Sequence, residues 1–276
     1  MFEKLLEMAF VEDLNHVGDV TSDAIFDEEE DLYWLVARQD GVLCGTDCFT
    51  SAFHYIDKAC EVNFLFTDGH LLKKEEKVAS IRGPIRSLLK AERVALNFIA
   101  HLSGIATQTR LYVDEAAGQT QILDTRKTLP GWREMQKYAV RCGGGTNHRM
   151  GLHDMVMIKD NHIDGVGGIA QAVDRVRGKW KDRFKVEVET RNLGEVEEAL
   201  GAGADVIMLD NMDTATMAKA VDLINGRGNG RAKTEASGNM TLDRIREVSK
   251  TGVDYISVGA LTHSVTVFDF SIRKMA

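Results

Sequence analysis

From residue 121 onward the chain keeps one rhythm. A short apolar run ends in a polar or charged residue, and a helical stretch then follows. The runs are "QILDTRK" (121–127), "MVMIKDN" (155–161), "FKVEVE" (184–189), "DVIMLDN" (205–211), "AKTEASG" (232–238) and "DYISVGALTH" (254–263). Their reactive ends stand about 20–35 residues apart, the length of a strand plus a returning helix. Between them, "IAQAVDRVRGKW" (169–180) places Ile169, Val173 and Val176 on one helical face, and "LGEVEEALGAG" (193–203) does so with Leu193, Val196 and Leu200. "TATMAKAVDLING" (214–226) and "TLDRIREVSKTG" (241–252) share the spacing and the glycine stop, with Thr241 as N-cap of the last. Strand alternating with helix implies a parallel sheet, and repeated crossovers suggest an α/β barrel. The pattern alone leaves a closed eight-stranded barrel and an open or incomplete one both standing. Six clear strands fit the incomplete form.

Barrels of this kind carry their reactive side chains at the C-terminal ends of the strands. Here those ends offer Asp124, Arg126 and Lys127, then Lys159 and Asp160, Glu187 and Glu189, Asp210 and Asn211, Glu235 and Ser237, and Thr262 and His263. The charge is unevenly placed. The formal net charge of the chain is −8, yet the stretch 124–162 holds seven cations against four anions, and three of the eight histidines. A local reversal of this kind predicts an anionic ligand held at one place, not general attraction to nucleic acid.

The first hundred residues lack the βα rhythm. "DLYWLVARQDGVLCGT" (31–46) alternates like strands in a hairpin, and "GHLLKKEEKVASIRGPIRSLL" (69–89) reads as more strand with a turn at Gly83-Pro84. Residues 86–116 read as one or two long helices. This mixed order predicts a separate α+β domain, to which the terminal "FDFSIRKMA" (268–276) could return. We place the domains at 1–104, with 265–276 returning to the first, and at 105–264. Apolar residues make up 44% of the chain, enough for a sizeable core. No apolar run is long enough to span a membrane. The N-terminal "MFEKLLEMAFVEDL" lacks the basic start and long apolar centre of a signal peptide, which predicts a cytoplasmic protein. Four cysteines, Cys44, Cys48, Cys60 and Cys142, form no CxxC pair and read as reduced thiols; for a metal at Cys44 and Cys48 no second pair completes the site.

Arg126, Lys127, His148, Arg149 and Lys159 together would suit a polyanion, since arginine forks match carboxylates and phosphates and lysine adds compact charge. Arg133, Lys137 and Arg141 lie within the helical "GWREMQKYAVRC" and are expected to form ordinary surface ion pairs. Glu189 and Asp210 give the rim a negative edge, able to hold magnesium or to face a developing cation. "EASGNM" (235–240) and "SVGALTH" (257–263) each put glycine at a strand end, where backbone N–H groups can cradle phosphate. "GVGGIAQAV" (165–173) lacks the spacing of a dinucleotide fingerprint, and "GGG" (143–145) reads as a flexible turn before Asn147–Arg149.

"DTRKT", "PG", "KYAV", "GGGTNHRMGL" and "IKDNHI", in that order, resemble the signature of the quinolinate phosphoribosyltransferase family. The likeness continues through "ERVALNFIAHLSGIAT" (92–107), "VEVE" (186–189), "GADVIMLDN" (203–211), "EASGN" (235–239) and "GVDYISVGALTHS" (252–264). The resemblance implies an N-terminal α/β sandwich domain and an incomplete, seven-stranded α/β barrel. It implies a homodimer or higher homo-oligomer with shared active sites, no nucleic-acid or membrane partner, and Mg2+ as cofactor. The implied reaction joins quinolinate to 5-phosphoribosyl 1-pyrophosphate, giving nicotinate mononucleotide, pyrophosphate and CO2 for NAD biosynthesis. By the same resemblance Arg126, His148, Arg149 and Lys159 bind the quinolinate carboxylates, with Arg93 reaching in from the neighbouring subunit. Lys127 and Lys159 face the pyrophosphate. Glu189 and Asp210 hold the magnesium and ribose region. Ser237, Gly238 and Asn239, with Gly259 and Ala260, form the 5′-phosphate cradle. Lys127, Lys159, Glu189 and Asp210 are then the catalytic candidates. Two departures stand out: Asn239 where the family often has a second glycine, and Trp132 where a smaller apolar residue is usual.

Two rival expectations remain. One is the related protein found with molybdenum-transport genes, acting on another substrate. The other is a non-catalytic anion-binding protein, which would have no need of Glu189 and Asp210 among the cations.

Overall fold

The computed structural model describes residues 2–226 and 232–274. It divides into two compact units. The first comprises residues 1–110, 129–144 and 265–276, and the second 111–128 and 145–264.

Unit 1 is built on a four-stranded antiparallel sheet. Its strands run edge to edge as Phe270–Arg273, Glu30–Ala37, Lys77–Pro84 and Glu61–Phe64. Helices Phe2–Leu14, Thr46–Ile56, Ile85–Ala116 and Arg133–Cys142 accompany it, the third continuing past the division into unit 2. Leu35, Phe49, Phe53, Ile81, Ile99 and Phe268 are buried in one core. Each such side chain contributes about 1.5–3 kcal/mol of transfer free energy.

Three expectations are corrected here. The stretch 31–46 is not a hairpin: Glu30–Ala37 pairs with Lys77–Pro84 and Phe270–Arg273, while Gly41–Val42 pairs with Leu71–Leu72. Alternation reports which face is buried, and it carries no information about the partner strand. Gly83 and Pro84 do not turn; they pair with Asp31 and Glu30, and the helix begins at once at Ile85. Proline fits because it ends the ladder, and the first helical N–H, that of Ile85, finds its partner outside the helix in the Glu29 carbonyl at 2.8 Å. Lys137 is not on the surface but 0% exposed, on a helix whose Gln136, Ala139 and Val140 are also covered. Arg141 does stay exposed, lying over the Tyr138 ring at 5.4 Å. The last two residues of "FDFSIRKMA" fall outside the described residues.

Unit 2 is a parallel sheet of six strands. Their order is Gln121–Leu123, Tyr255–Ser257, Lys233–Ser237, Val206–Asp210, Val186–Thr190 and Val156–Ile158. All six apolar runs of the sequence are therefore strands. A seventh position exists only as a single parallel bridge from Thr146 to Leu123, with Thr146 N–H donating to Ile122 at 2.8 Å. The first strand thus lies between the last strand and the bridge, and no ladder joins the bridge to Val156–Ile158 among the described residues. This is the incomplete barrel, its seventh strand reduced to one residue.

The helices fall where the periodicity puts them: Ile169–Trp180, Leu193–Gly201, Thr214–Gly226 and Leu242–Ser249. Gly203 and Gly252 follow two of them at φ +79° and +86°, a conformation that glycine adopts without the usual side-chain penalty. Thr241 takes the N-cap position with an extended backbone, but its side chain makes no capping bond. Asn192 does cap its helix, accepting from Glu195 N–H at 3.0 Å. Along Val186–Thr190 the parity is strict. Val186 and Val188 are fully buried on one face, and Glu187 and Glu189 share the other.

Candidate active site

Parity and strand direction bring the reactive ends together in unit 2. They line a cavity of about 720 Å³. Gln121–Leu123 delivers Thr125, Arg126 and Lys127, and the segment after the Thr146 bridge delivers His148 and Arg149. Met157 and Lys159 come from the next strand, then Glu189, then Met208, Asp210 and Asn211. Glu235, Ser237, Gly238 and Asn239 follow, and the last strand adds Ser257, Gly259, Ala260 and His263. Of the strand-end residues, Asp124, Asp160, Glu187 and Thr262 do not line it; of the site residues implied by the resemblance, all line it except Arg93, which is exposed on Ile85–Ala116 in unit 1.

The cations are held, not loose. Arg149 donates through Nη1 to the Met155 carbonyl at 3.1 Å, and its Nε is buried with no hydrogen-bond partner. Burial, then the nearby Arg126 charge, lower its pKa, while Glu187 pulls the other way. Lys159 caps the helix Asp160–Val166, its N–H donating to His162 Nδ1 at 3.0 Å, and its Nζ stands 3.5 Å from a Glu189 oxygen. Burial raises the Glu189 pKa; Lys159 opposes this, and the Asp210 charge adds to it. Two oxygen donors facing one cavity under mutual repulsion suit a hard cation. Magnesium commonly takes one or two carboxylates and completes its shell with water and phosphate. Glu189 and Asp210 fit that pattern.

His148 anchors a cluster that the sequence did not reveal. Its Nε2 lies 3.0 Å from Glu187 and 3.3 Å from Glu235, and both carboxylates are almost fully buried. Asp124, itself buried, accepts from the His148 N–H at 2.9 Å and from the Asn147 side chain. Burial alone would favour the neutral ring, but the two carboxylates outweigh it and raise the pKa to about 10. Against this, the Arg149 N–H points at Nδ1 at 2.7 Å, and a protonated Nδ1 has no lone pair to accept with. The contact selects the tautomer with its proton on Nε2. Burial and the Glu235 charge push Glu187 up to about 7. Both ring nitrogens are therefore engaged within the protein. An incoming carboxylate reaches either one only by displacing a contact.

At the opposite side lies the glycine-bearing turn. Gly238 has φ +91°, and a Cβ there would stand 2.2 Å from Asn211 Oδ1. Asn211 donates to Asp210 at 2.8 Å and accepts from Asn239 at 3.3 Å. Asn239 itself has φ +49°, the left-handed region where asparagine is the best tolerated residue after glycine. Its replacement of a second glycine is therefore conformationally mild. At Gly259 a Cβ would meet the Lys127 side chain at 3.1 Å, so glycine there leaves room for that lysine. Thr262 Oγ1 donates to the Lys127 carbonyl at 2.8 Å and ties the two ends of the barrel chain together.

Among known proteins, two family models match the chain. That for the quinolinate phosphoribosyl transferase C-terminal domain matches residues 105–273, and that for the N-terminal domain matches residues 19–103. A chloroplastic nicotinate-nucleotide pyrophosphorylase [carboxylating] of Arabidopsis thaliana is 44% identical over 98% of this chain and 81% of its own length. A probable nicotinate-nucleotide pyrophosphorylase [carboxylating] of Bacillus subtilis is 43% identical over 98% of this chain and 92% of its own. The solved structure of nicotinate-nucleotide pyrophosphorylase from Francisella tularensis superposes with a TM-score of 0.93 at 39% identity, covering 99% of this chain and 95% of the other.

Proposed function

The chain belongs to the quinolinate phosphoribosyl transferase family, and from that premise we propose that it makes nicotinate mononucleotide from quinolinate and 5-phosphoribosyl 1-pyrophosphate. Pyrophosphate and CO2 leave, and the step serves NAD biosynthesis. The enzyme is a pentosyltransferase. One observation supports this above the others: Arg126, Arg149, Lys127 and Lys159 converge with Glu189 and Asp210 on a single cavity. A merely anion-binding protein has no use for the two carboxylates.

In this reading Arg126, His148, Arg149 and Lys159 receive the two carboxylates of quinolinate, and His148 also accepts the Arg149 backbone N–H at 2.7 Å. Lys127 and Lys159 face the pyrophosphate. The Gly238 and Gly259–Ala260 backbones, with Ser237 and Asn239, take the 5′-phosphate. The ring nitrogen attacks the ribose carbon, the bond to pyrophosphate breaks, and Glu189 and Asp210 stabilise the positive charge that develops on the sugar. The nitrogen becomes a cation. The adjacent C–CO2 bond then breaks, leaving its electron pair beside that cation, and a proton takes its place. Mg2+ held by Glu189 and Asp210 would neutralise the pyrophosphate as it departs.

The proposal includes a homodimer or larger homo-oligomer in which the partner subunit's Arg93 completes each site. It also includes residues 105–264 as the catalytic domain and a cytoplasmic location, the latter to be checked by cell fractionation. Among the described residues no helix is long and apolar enough to cross a membrane. The decisive assay gives pure protein quinolinate, phosphoribosyl pyrophosphate and Mg2+, and measures nicotinate mononucleotide. Quinolinate should be used and nicotinate should not, because a site built for two carboxylates leaves buried cations unpaired when one is missing. Equal turnover of the two acids would overturn the dicarboxylate assignment.

A further inference from the structure

Unit 1 holds a second convergence of metal-binding side chains, remote in chemistry from the cationic cavity. The sulfurs of Cys44 and Cys142 and a carboxylate oxygen of Asp68 all lie within 4.8 Å of one another. They come from three separated segments. Cys44 follows the short strand Gly41–Val42, Asp68 lies in the turn before Leu71–Leu72, and Cys142 ends the helix Arg133–Cys142. In the sequence Cys44 and Cys48 stand near each other, but no second pair completes a site there. The fold instead turns the Cys48 sulfur towards Met135, at 3.9 Å.

We propose that Cys44, Asp68 and Cys142 form a binding site for a thiophilic divalent cation of the zinc class. Zinc takes thiolate and carboxylate ligands in a four-coordinate shell, so these three donors leave a fourth position for water. Sulfurs each about 2.3 Å from zinc stand about 3.8 Å apart in a tetrahedron, inside the observed spread. A disulfide needs the sulfurs to close to about 2.05 Å and a restricted backbone separation, which is a stricter demand.

The surroundings orient the three donors. Asp68 accepts from Gly45 N–H at 3.1 Å to each oxygen, from Thr46 N–H at 3.2 Å and from the Tyr138 hydroxyl at 2.9 Å. Such bonds fix the direction of a ligating carboxylate. The Cys44 backbone is clamped on both sides by Ser103 Oγ, which accepts from its N–H at 2.9 Å and donates to its carbonyl at 3.0 Å. An open cavity of about 770 Å³ reaches Asp68 and Tyr138 and gives an ion a route in. A buried Cys44 could simply be a small core residue, Cys142 a partly exposed helix-end residue, and Asp68 a helix cap. Neither role requires all three donor atoms to meet.

The test uses the full chain, stripped with a chelator and kept reduced, then titrated with Cd2+ as a spectroscopic probe and with Zn2+ alone. One ion per chain should bind, with a thiolate-to-cadmium ultraviolet band, and the melting temperature should rise because the ion binds only the folded form. Cys44→Ala and Cys142→Ala should each abolish the band. Asp68→Asn should weaken binding at least tenfold, and Cys48→Ser should change nothing. Circular dichroism checks folding, and Cys142→Ala, at a partly exposed position, decides the matter if the buried Cys44→Ala does not fold. Absence of the band in the wild type overturns the proposal. So does a band that survives Cys142→Ala, or the appearance of a Cys44–Cys142 disulfide by mass spectrometry in place of ion binding.

Discussion

Gly238→Ala should separate the phosphate turn from the rest of the cavity. Two costs arise from the geometry. Alanine at φ +91° pays a left-handed penalty of about 1–2 kcal/mol, which falls on folding. The new methyl would also lie 2.2 Å from Asn211 Oδ1, far inside contact distance, so Asn211 must move. Moving it breaks its 2.8 Å bond to Asp210, and a hydrogen bond to a charged acceptor is worth about 1.5–3 kcal/mol. That second cost falls on the ribose side of the site. In steady-state kinetics, kcat/KM for phosphoribosyl pyrophosphate should drop by about 10- to 100-fold, with the KM for quinolinate nearly unchanged. The melting temperature should fall by only about 2–8 °C. Adding Asn211→Ala should remove the steric part, so the double variant should be less impaired than the two single effects predict. Wild-type kinetics in a folded Gly238→Ala protein would refute the coupling from Gly238 through Asn211 to Asp210. Equal losses for both substrates would refute the assignment of this turn to the sugar phosphate.

Arg149→Ala should raise the KM for quinolinate, and Lys159→Ala should impair both substrates, each at a cost of about 2–4 kcal/mol in kcat/KM; near-normal kinetics in folded variants would remove them from the site. Arg93→Ala and Lys159→Ala subunits should be nearly inactive alone but recover towards ~25% of wild-type activity after random exchange, since half the dimers would carry one intact site of two. No recovery, with exchange confirmed by mass spectrometry, would mean that Arg93 does not act across subunits. Burial would raise the Asp254 carboxyl, but bonds from Lys233 at 2.6 Å and from Thr234 at 2.9 and 3.0 Å prevail and hold it below its usual range. Its stabilisation is therefore complete above the unfolded carboxyl value, about 4, and is lost as the pH falls through the lower folded value. The gap in melting temperature between wild type and Asp254→Asn should be open at pH 7 and narrow below pH ~4; an equal gap at both ends would contradict this.

Barrel strands were legible because each apolar run is short, bounded by polar residues and followed by a helix of clear period. That rule alone puts Arg126, Lys159, Glu189 and Asp210 on one rim, where the cavity holds them. The hairpin failed for the opposite reason, since the true partners of Glu30–Ala37 lie at residues 77–84 and 270–273, beyond any local signal. Thr146 could not be read as a strand, because one residue has no periodicity. Lys137 was misplaced because a lysine is seldom buried, and its helix hides it among Gln136, Ala139 and Val140. The His148–Glu187–Glu235 cluster joins the segment after the Thr146 bridge to residues inside two strands, and it depends on register. Glu187 stands opposite Val206, and Val206 opposite Lys233, two residues before Glu235, an offset set by the ladder and not by spacing along the chain.

The pairing of Gln121–Leu123 with Tyr255–Ser257 has a consequence for how the enzyme comes into being. The opening strand of the barrel must wait, with one edge bare, until almost the whole chain has been synthesised. Each later strand can dock on its predecessor, but Thr125, Arg126 and Lys127 remain apart from Gly259 and His263 until that final seam closes. A nascent chain therefore gains secondary structure early and catalytic competence late, in one step. Such non-local closure slows folding and leaves an unpaired edge open to wrong partners meanwhile. Chains truncated before Tyr255 should accumulate with barrel helices formed and no activity, and a separately supplied C-terminal fragment bearing that strand is the piece that could restore it.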